Sequence, residues 1–261
     1  MEEHLLISDD CIGCGLCTKV CIRGHIVLAD SRPQEIDSGY SCFECGHCAA
    51  VCPKGAISIR SATEDILPVQ GIPVSKEDLF SLYRCRRSQR WFDRKCTREE
   101  LEELLSYVRY SPTAENTQKV EYAVIDDGFD DLMGLCASIL EPYRDEQPRF
   151  GQFLDYVKGG MQGWNNPFTW EGRQLIVVFS RIPADAILAA EQLDLMAFSM
   201  GLGGFHSKWI LMALERDPEK ARGFFPETDP DLFPSAVFVI GHPRVRFRRT
   251  APRDQRKVSW R

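Results

Sequence analysis

Eight cysteines in two runs carry the strongest chemistry in this sequence. The first run is Cys11, Cys14, Cys17 and Cys21; the second is Cys42, Cys45, Cys48 and Cys52, followed by Pro53. Both have the spacing C-x2-C-x2-C-x3-C, which suits [4Fe–4S] clusters. Three closely spaced thiolates wrap one face of a cubane, and the fourth cysteine of such a run ligates the other cluster. The spacing therefore predicts one cluster on Cys11, Cys14, Cys17 and Cys52, and a second on Cys42, Cys45, Cys48 and Cys21. Zinc also uses C-x-x-C pairs. It requires neither the third cysteine of each run nor the repetition of the whole run. Ile22 stands after Cys21 where Pro is usual; proline there shapes the turn and supplies no ligand.

These ligands need a scaffold, and the sequence repeats one. Cys11 maps onto Cys42, Cys21 onto Cys52 and Ile26 onto Ile57, each 31 residues on. Two copies of a short strand, ligand loop, brief helix and return strand are expected within residues 1–60. His4–Ile7 and Ile26–Leu28 suit strands of the first copy, and Ile57–Ile59 the last strand of the second. So small a module has little apolar core, and its clusters must help to hold it together. Pro68, Gly71 and Pro73 mark residues 61–75 as a linker.

Residues 76–261 read as an α+β layer fold. Ser75 caps a helix with Leu79, Leu82 and Tyr83 on its apolar side. Thr97 and Glu100 form a capping box for a second helix carrying Leu101, Leu104, Leu105 and Val108. Val120–Asp126 suits a strand and Leu132–Leu140 a helix. Residues 159–164 are a glycine-rich loop. Leu175–Phe179 and Ala236–Ile240 read as buried strands, the latter closed by Gly241 and Pro243, and Ala184–Gly201 as a long apolar helix.

Three polar stretches in this part suit a phosphate-bearing planar ligand. Arg86, Arg87, Ser88 and Arg90 offer guanidinium forks and a hydroxyl for phosphate; a solvated basic helix end reads equally well. Ser111–Gln118 supplies amide groups suited to a flavin edge, although Ser-Pro and Asn also favour a plain turn. Gly201–Lys208 ends the long helix and begins another, with glycines that permit close backbone approach or simply cap the helix. No G-x-G-x-x-G follows a strand, which argues against a separate nicotinamide domain.

Taken in order, these stretches resemble the nitroreductase family of FMN enzymes. The match runs through R-x-S-x-R-x-F at Arg86 to Phe92, S-P-T-x-x-N-x-Q at Ser111 to Gln118, the helix into Gly201-Leu202-Gly203, and Gly241-His242-Pro243 before a basic run. The cysteine runs resemble two-cluster ferredoxins, so the whole resembles ferredoxin–nitroreductase fusions of anaerobes. The resemblance implies a homodimer with two FMN molecules in the subunit interface. Arg86, Arg87, Ser88 and Arg90 would hold the phosphate and ribityl chain. Pro112, Thr113, Ala114 and Asn116 would reach FMN from the partner subunit, with Gln118 close by. Gly203, Gly204, His206, Ser207 and Lys208 would lie along the reactive side of the flavin, and Arg248 or Arg249 would close on the phosphate. His206-Ser207-Lys208 departs from many relatives. No catalytic acid is evident.

The function expected is an iron–sulfur flavoprotein oxidoreductase. Electrons would pass from a reduced donor such as ferredoxin through the clusters to FMN and on to a nitroaromatic, quinone or other conjugated acceptor. Competing readings are an NAD(P)H-dependent FMN reductase with the clusters as outlet, and a non-catalytic redox carrier or sensor. Residues 161–170 would form a lid, with Trp164, Phe168 and Trp170 facing an aromatic substrate. The net charge of −6 across 261 residues argues against general nucleic-acid binding, despite eight Lys/Arg between Arg244 and Arg261. That basic run is expected to form an arm lying on the partner subunit. No apolar run approaches a membrane span, and the acidic start lacks a signal-peptide pattern, so a cytoplasmic protein is expected. Cys85, Cys96 and Cys136 are expected as small buried apolar residues.

Overall fold

The computed structural model describes residues 3–62, 66–71, 73–162 and 166–261. They pack into two compact units. The first comprises Met1–Pro73 with Ala114–Thr117, and the second Val74–Thr113 with Gln118–Arg261.

The first unit follows the sequence repeat. One copy runs β1 (Leu5–Ile7), α1 (Leu16–Val20) and β2 (Ile26–Ala29); the other runs β3 (Arg32–Glu35), α2 (His47–Ala50) and β4 (Ile57–Ile59). The copies interlock, because β1 pairs antiparallel with β4, and β2 with β3. Both short helices start at a left-handed glycine, Gly15 at φ 71° and Gly46 at φ 74°, equivalent positions of the repeat. A side chain would strain this backbone, which turns the chain between successive cysteines. The main buried cluster is small: Leu5, Ile26, Ala49, Ile57 and Ile59, together with Cys17 and Cys48.

The second unit is built on one antiparallel sheet between two helical layers. Its strands are β5 (Phe92–Arg94), β6 (Val120–Ile125), β7 (Leu175–Ser180), β8 (Gly203–His206) and β9 (Phe233–Pro243). The order is β5-β9-β7-β6, and β8 also pairs with β9. The six residues of β7 are all buried. Alternation splits them between the two faces. Leu175, Val177 and Phe179 meet α5 (Phe129–Leu140), α6 (Pro148–Lys158), α8 (Lys208–Arg216) and α9 (Pro218–Phe224). Ile176 and Val178 meet α4 (Arg98–Val108) and α7 (Pro183–Ser199). The Thr97–Glu100 capping box forms as expected, and Ser75 caps α3 (Lys76–Cys85) by accepting from the Asp78 amide.

Several expectations are corrected. The strand expected to close at Gly241 instead runs for 11 residues to Pro243, because its far half has its own partners in β8 and β5. Gly201–Lys208 contains that missed strand, β8, before α8 begins at the Ser207 cap. A glycine-rich stretch reads as a loop, yet here the glycines are what allow the pairing. A Cβ on Gly204 would lie 2.2 Å from the Val239 carbonyl oxygen. None of the residues of α3 is buried, so Leu79 and Tyr83 are exposed rather than packed. Cys85 is exposed, whereas Cys96 and Cys136 are buried as expected.

Candidate functional site

The repeat folds the cysteines of the first unit into two groups. One cavity is lined by Cys11, Cys14, Cys17 and Cys52. Another is lined by Cys42, Cys45, Cys48 and Cys21. Each fourth cysteine thus faces the trio of the other run. All eleven cysteines are free thiols. Backbone amides point at several sulfurs: His25 N–H at Cys21 Sγ (3.2 Å), Glu44 N–H at Cys42 Sγ (3.4 Å) and Ala56 N–H at Cys52 Sγ (3.3 Å). Such bonds favour thiolate and tune the potential of a bound cluster. Burial pushes the Cys48 thiol up to about 11, and it raises Cys17 and Cys42 as well. Neighbouring cysteines add to each rise, as crowded thiolates repel. A cation shared among four sulfurs relieves both costs, so these groups fit iron–sulfur clusters.

The turn Ala114–Thr117 belongs with this unit. The Asn116 side-chain amide donates to the carbonyls of Phe43 and Glu44, each at 3.2 Å. Arg23 pairs with Glu115 at 3.2 Å and stacks 3.8 Å above the Phe43 ring. Glu115 and Asn116 hold left-handed backbone, at φ 55° and 54°. The turn is therefore packed on the loop between Cys42 and Cys45. Asn116, expected beside FMN, has this local use. Pro112 is exposed and Thr113 partly buried, its hydroxyl accepting from the Gln118 amide at 2.9 Å.

In the second unit the first arginine motif is extended chain after α3. Arg86 pairs with the buried Asp194 at 3.1 Å, and His206 Nε2 lies 3.5 Å from the same carboxylate oxygen. Arg87 lies over Phe247, while Ser88 is partly buried. Arg90 sits over the rings of Trp170 and Phe205, at 4.8 and 5.1 Å. Burial and nearby Arg149 hold its guanidinium below the usual range. Gly203 lies in β8 against Gln89, where a Cβ would come within 2.6 Å of the glutamine Cγ. Ser207 is buried; its hydroxyl donates to the Phe168 carbonyl and accepts from the Ile210 amide. Lys208 lies 4.6 Å over Trp209. Arg248 and Arg249 line a cavity of about 780 Å³ with Gln89, Arg246, Arg94 and His242.

The motif thus divides between three places: Arg86 with His206, Arg90 among aromatic rings, and Arg248 with Arg249 on the basic cavity. Two buried polar atoms of the motif have no partner, Gln89 Oε1 and Arg90 Nε. Unpartnered groups beside clustered arginines fit an anionic, hydrogen-bonding ligand such as FMN. The sequence reading missed Asp194, Gln89, Arg149 and Arg246. A visible signal existed for Asp194, an acid inside an otherwise apolar helix. Of the expected lid, Trp164 lies outside the described residues. Phe168 is corrected to core: it is fully buried, stacked on Phe153 at 3.9 Å and near Trp209 at 6.2 Å.

Comparison with known proteins adds the family. The nitroreductase family model matches residues 83–225, more than half the chain, and a 4Fe-4S dicluster domain matches residues 10–57. Solved structures share the fold of the larger part. A nitroreductase with bound FMN from Desulfitobacterium hafniense is 15% identical with a TM-score of 0.54, over 69% of this chain and 96% of that one. An FMN-dependent nitroreductase from Clostridium difficile is 15% identical with a TM-score of 0.51, over 71% and 100%. An iodotyrosine deiodinase bound to FMN and 3-iodo-L-tyrosine is 20% identical with a TM-score of 0.50, over 70% and 98%. No curated protein matches the sequence. The protein is thus a redox enzyme with an iron–sulfur domain ahead of a flavoprotein fold. It belongs to the nitroreductase family, whose members are FMN-dependent oxidoreductases. Among the described residues, no helix is long and apolar enough to cross a membrane.

Proposed function

We propose that this chain takes electrons singly from a reduced donor such as ferredoxin and delivers them to a small conjugated acceptor, a nitroaromatic or a quinone. The observation that carries this reading is the pairing of a 4Fe-4S dicluster domain with a nitroreductase domain in one chain. When bound, the clusters supply one-electron steps and FMN couples them to two-electron chemistry. Cys11, Cys14, Cys17 and Cys52 hold one cluster, and Cys42, Cys45, Cys48 and Cys21 the other. Arg86, Arg87, Ser88 and Arg90 grip the flavin phosphate and ribityl chain, with Arg248 or Arg249 closing on the phosphate. Asp194 fixes Arg86, so little side-chain freedom is lost on binding. Pro112, Thr113, Ala114, Asn116 and Gln118 serve the partner subunit's flavin, and Gly203, Gly204, His206, Ser207 and Lys208 line its reactive side. The protein works as a cytoplasmic homodimer. Exposed Leu79, Phe80 and Tyr83 on α3, with Ile187 and Leu188 on α7, give a second copy apolar surface to cover.

The test is flavin affinity in a double variant, Arg90→Ala with Arg248→Ala. Each charge-assisted contact contributes roughly 1.5–3 kcal/mol. FMN binding should therefore weaken on the order of 100-fold or more, at unchanged iron content. FMN retained at wild-type affinity would overturn the phosphate site.

A further inference from the structure

Cys96, Glu100 and His242 form a compact donor set at the edge of the basic cavity. One sulfur, one carboxylate oxygen and one imidazole nitrogen lie within 4.8 Å of one another. Cys96 immediately precedes the Thr97 cap of α4, Glu100 sits in the first turn of that helix, and His242 lies near the end of β9. The pairing of β5 with β9 sets Arg94 opposite His242 and so carries Cys96 alongside.

Bonds hold the backbone at Cys96 and the carboxylate of Glu100. The buried Gln174 side chain accepts from the Cys96 amide at 2.9 Å and donates to the Cys96 carbonyl at 3.2 Å. Glu100 Oε2 accepts from the Thr97 amide at 2.8 Å and meets His242 Nε2 at 2.9 Å. The Thr97 bond is an outer bond of the kind that orients a metal ligand, and the Glu100–His242 contact itself brings two donors together. Cys96 is buried, and the other two are partly so. The nearby cation is Arg94, whose Nη1 lies 3.8 Å from Glu100 Oε2 on an exposed side chain that can swing clear.

We infer that Cys96, Glu100 and His242 bind a zinc ion that fastens the start of α4 to the end of β9. One thiolate, one imidazole and one carboxylate is a donor mixture that tetrahedral zinc takes, whereas calcium and magnesium want oxygen throughout. A water completes the tetrahedron from the solvent side, because His242 and Arg94 line the large basic cavity. Binding deprotonates the Cys96 thiol and releases that proton to solvent. Since Pro243 leads straight into the run Arg244–Arg261, the ion fixes where the basic arm leaves the fold.

The experiment uses the full-length protein, purified anaerobically with its iron and flavin. Zinc sulfate is titrated against a chromophoric chelator, and zinc and iron are counted in the same sample. The expected result is about one zinc per chain with iron unchanged, and an X-ray absorption signature of one Zn–S bond of about 2.3 Å. Cys96→Ser should lose that zinc while keeping iron and FMN, which doubles as the check on folding, and His242→Gln should lose it while keeping iron. Glu100→Gln, which preserves shape, should weaken zinc if either of those variants fails to fold. No zinc uptake by the wild-type chain, zinc gained only as iron is lost, or zinc undiminished in the variants would each overturn the proposal.

Discussion

In the first unit the buried cluster consists of Leu5, Ile26, Ala49, Ile57 and Ile59 with two cysteines. The second unit instead buries whole helix faces on both sides of its sheet, with Phe150, Phe153, Phe168, Phe179 and Phe238 fully enclosed. The two therefore solve the problem of stability differently. A module of this size gains too little from apolar burial to offset its chain entropy, so metal binding must contribute folding energy directly. The larger domain rests on its own core, and its ligand site can be spread over distant elements without threatening the fold.

The largest expected effect breaks that comparison most openly. Chelating the iron anaerobically should unfold the first unit while the second keeps its helical circular dichroism and a cooperative thermal transition. Loss of both together would show that the domains do not stand separately. Next in size is Phe168→Ala, which empties a stacked position in the larger core and should cost about 3–5 kcal/mol in denaturant unfolding. A change under about 1 kcal/mol would instead return Phe168 to the lid role. The smallest is Thr97→Ala, which removes a satisfied helix cap and should cost about 1 kcal/mol. The variant keeps the backbone amide at position 97 that holds the Glu100 carboxylate, so the loss should be similar with and without zinc.

The same contrast explains what was legible in the sequence. The cysteine groups could be read because each cluster takes three of its ligands close together in sequence, and the repeated run supplies the fourth. The repeat also foretold two equivalent brief helices, though not the left-handed glycines, Gly15 and Gly46, that start them. In the second unit, the capping box and the apolar run of β7 were equally plain, since both signals are local. The strand β8 was not, because glycines at 203 and 204 serve contacts with Gln89, Phe238 and Val239 that lie far away in sequence. Arg86 read as a phosphate ligand, and its anchor Asp194 stands 108 residues away. The fate of Phe168 was also hidden, because an aromatic in a loop gives no sign of which rings will enclose it.

In the proposed function the iron–sulfur domain feeds the flavin. Stopped-flow measurement of flavin reduction tests it most directly, comparing the full-length protein with a chain starting at Ser75, each with reduced ferredoxin and with dithionite. Flavin content of the shortened chain is checked first, since its proposed FMN ligands all follow residue 85. The shortened chain should keep FMN and its reduction by dithionite but lose rapid reduction by ferredoxin. Equal ferredoxin-driven rates in the two proteins would contradict it.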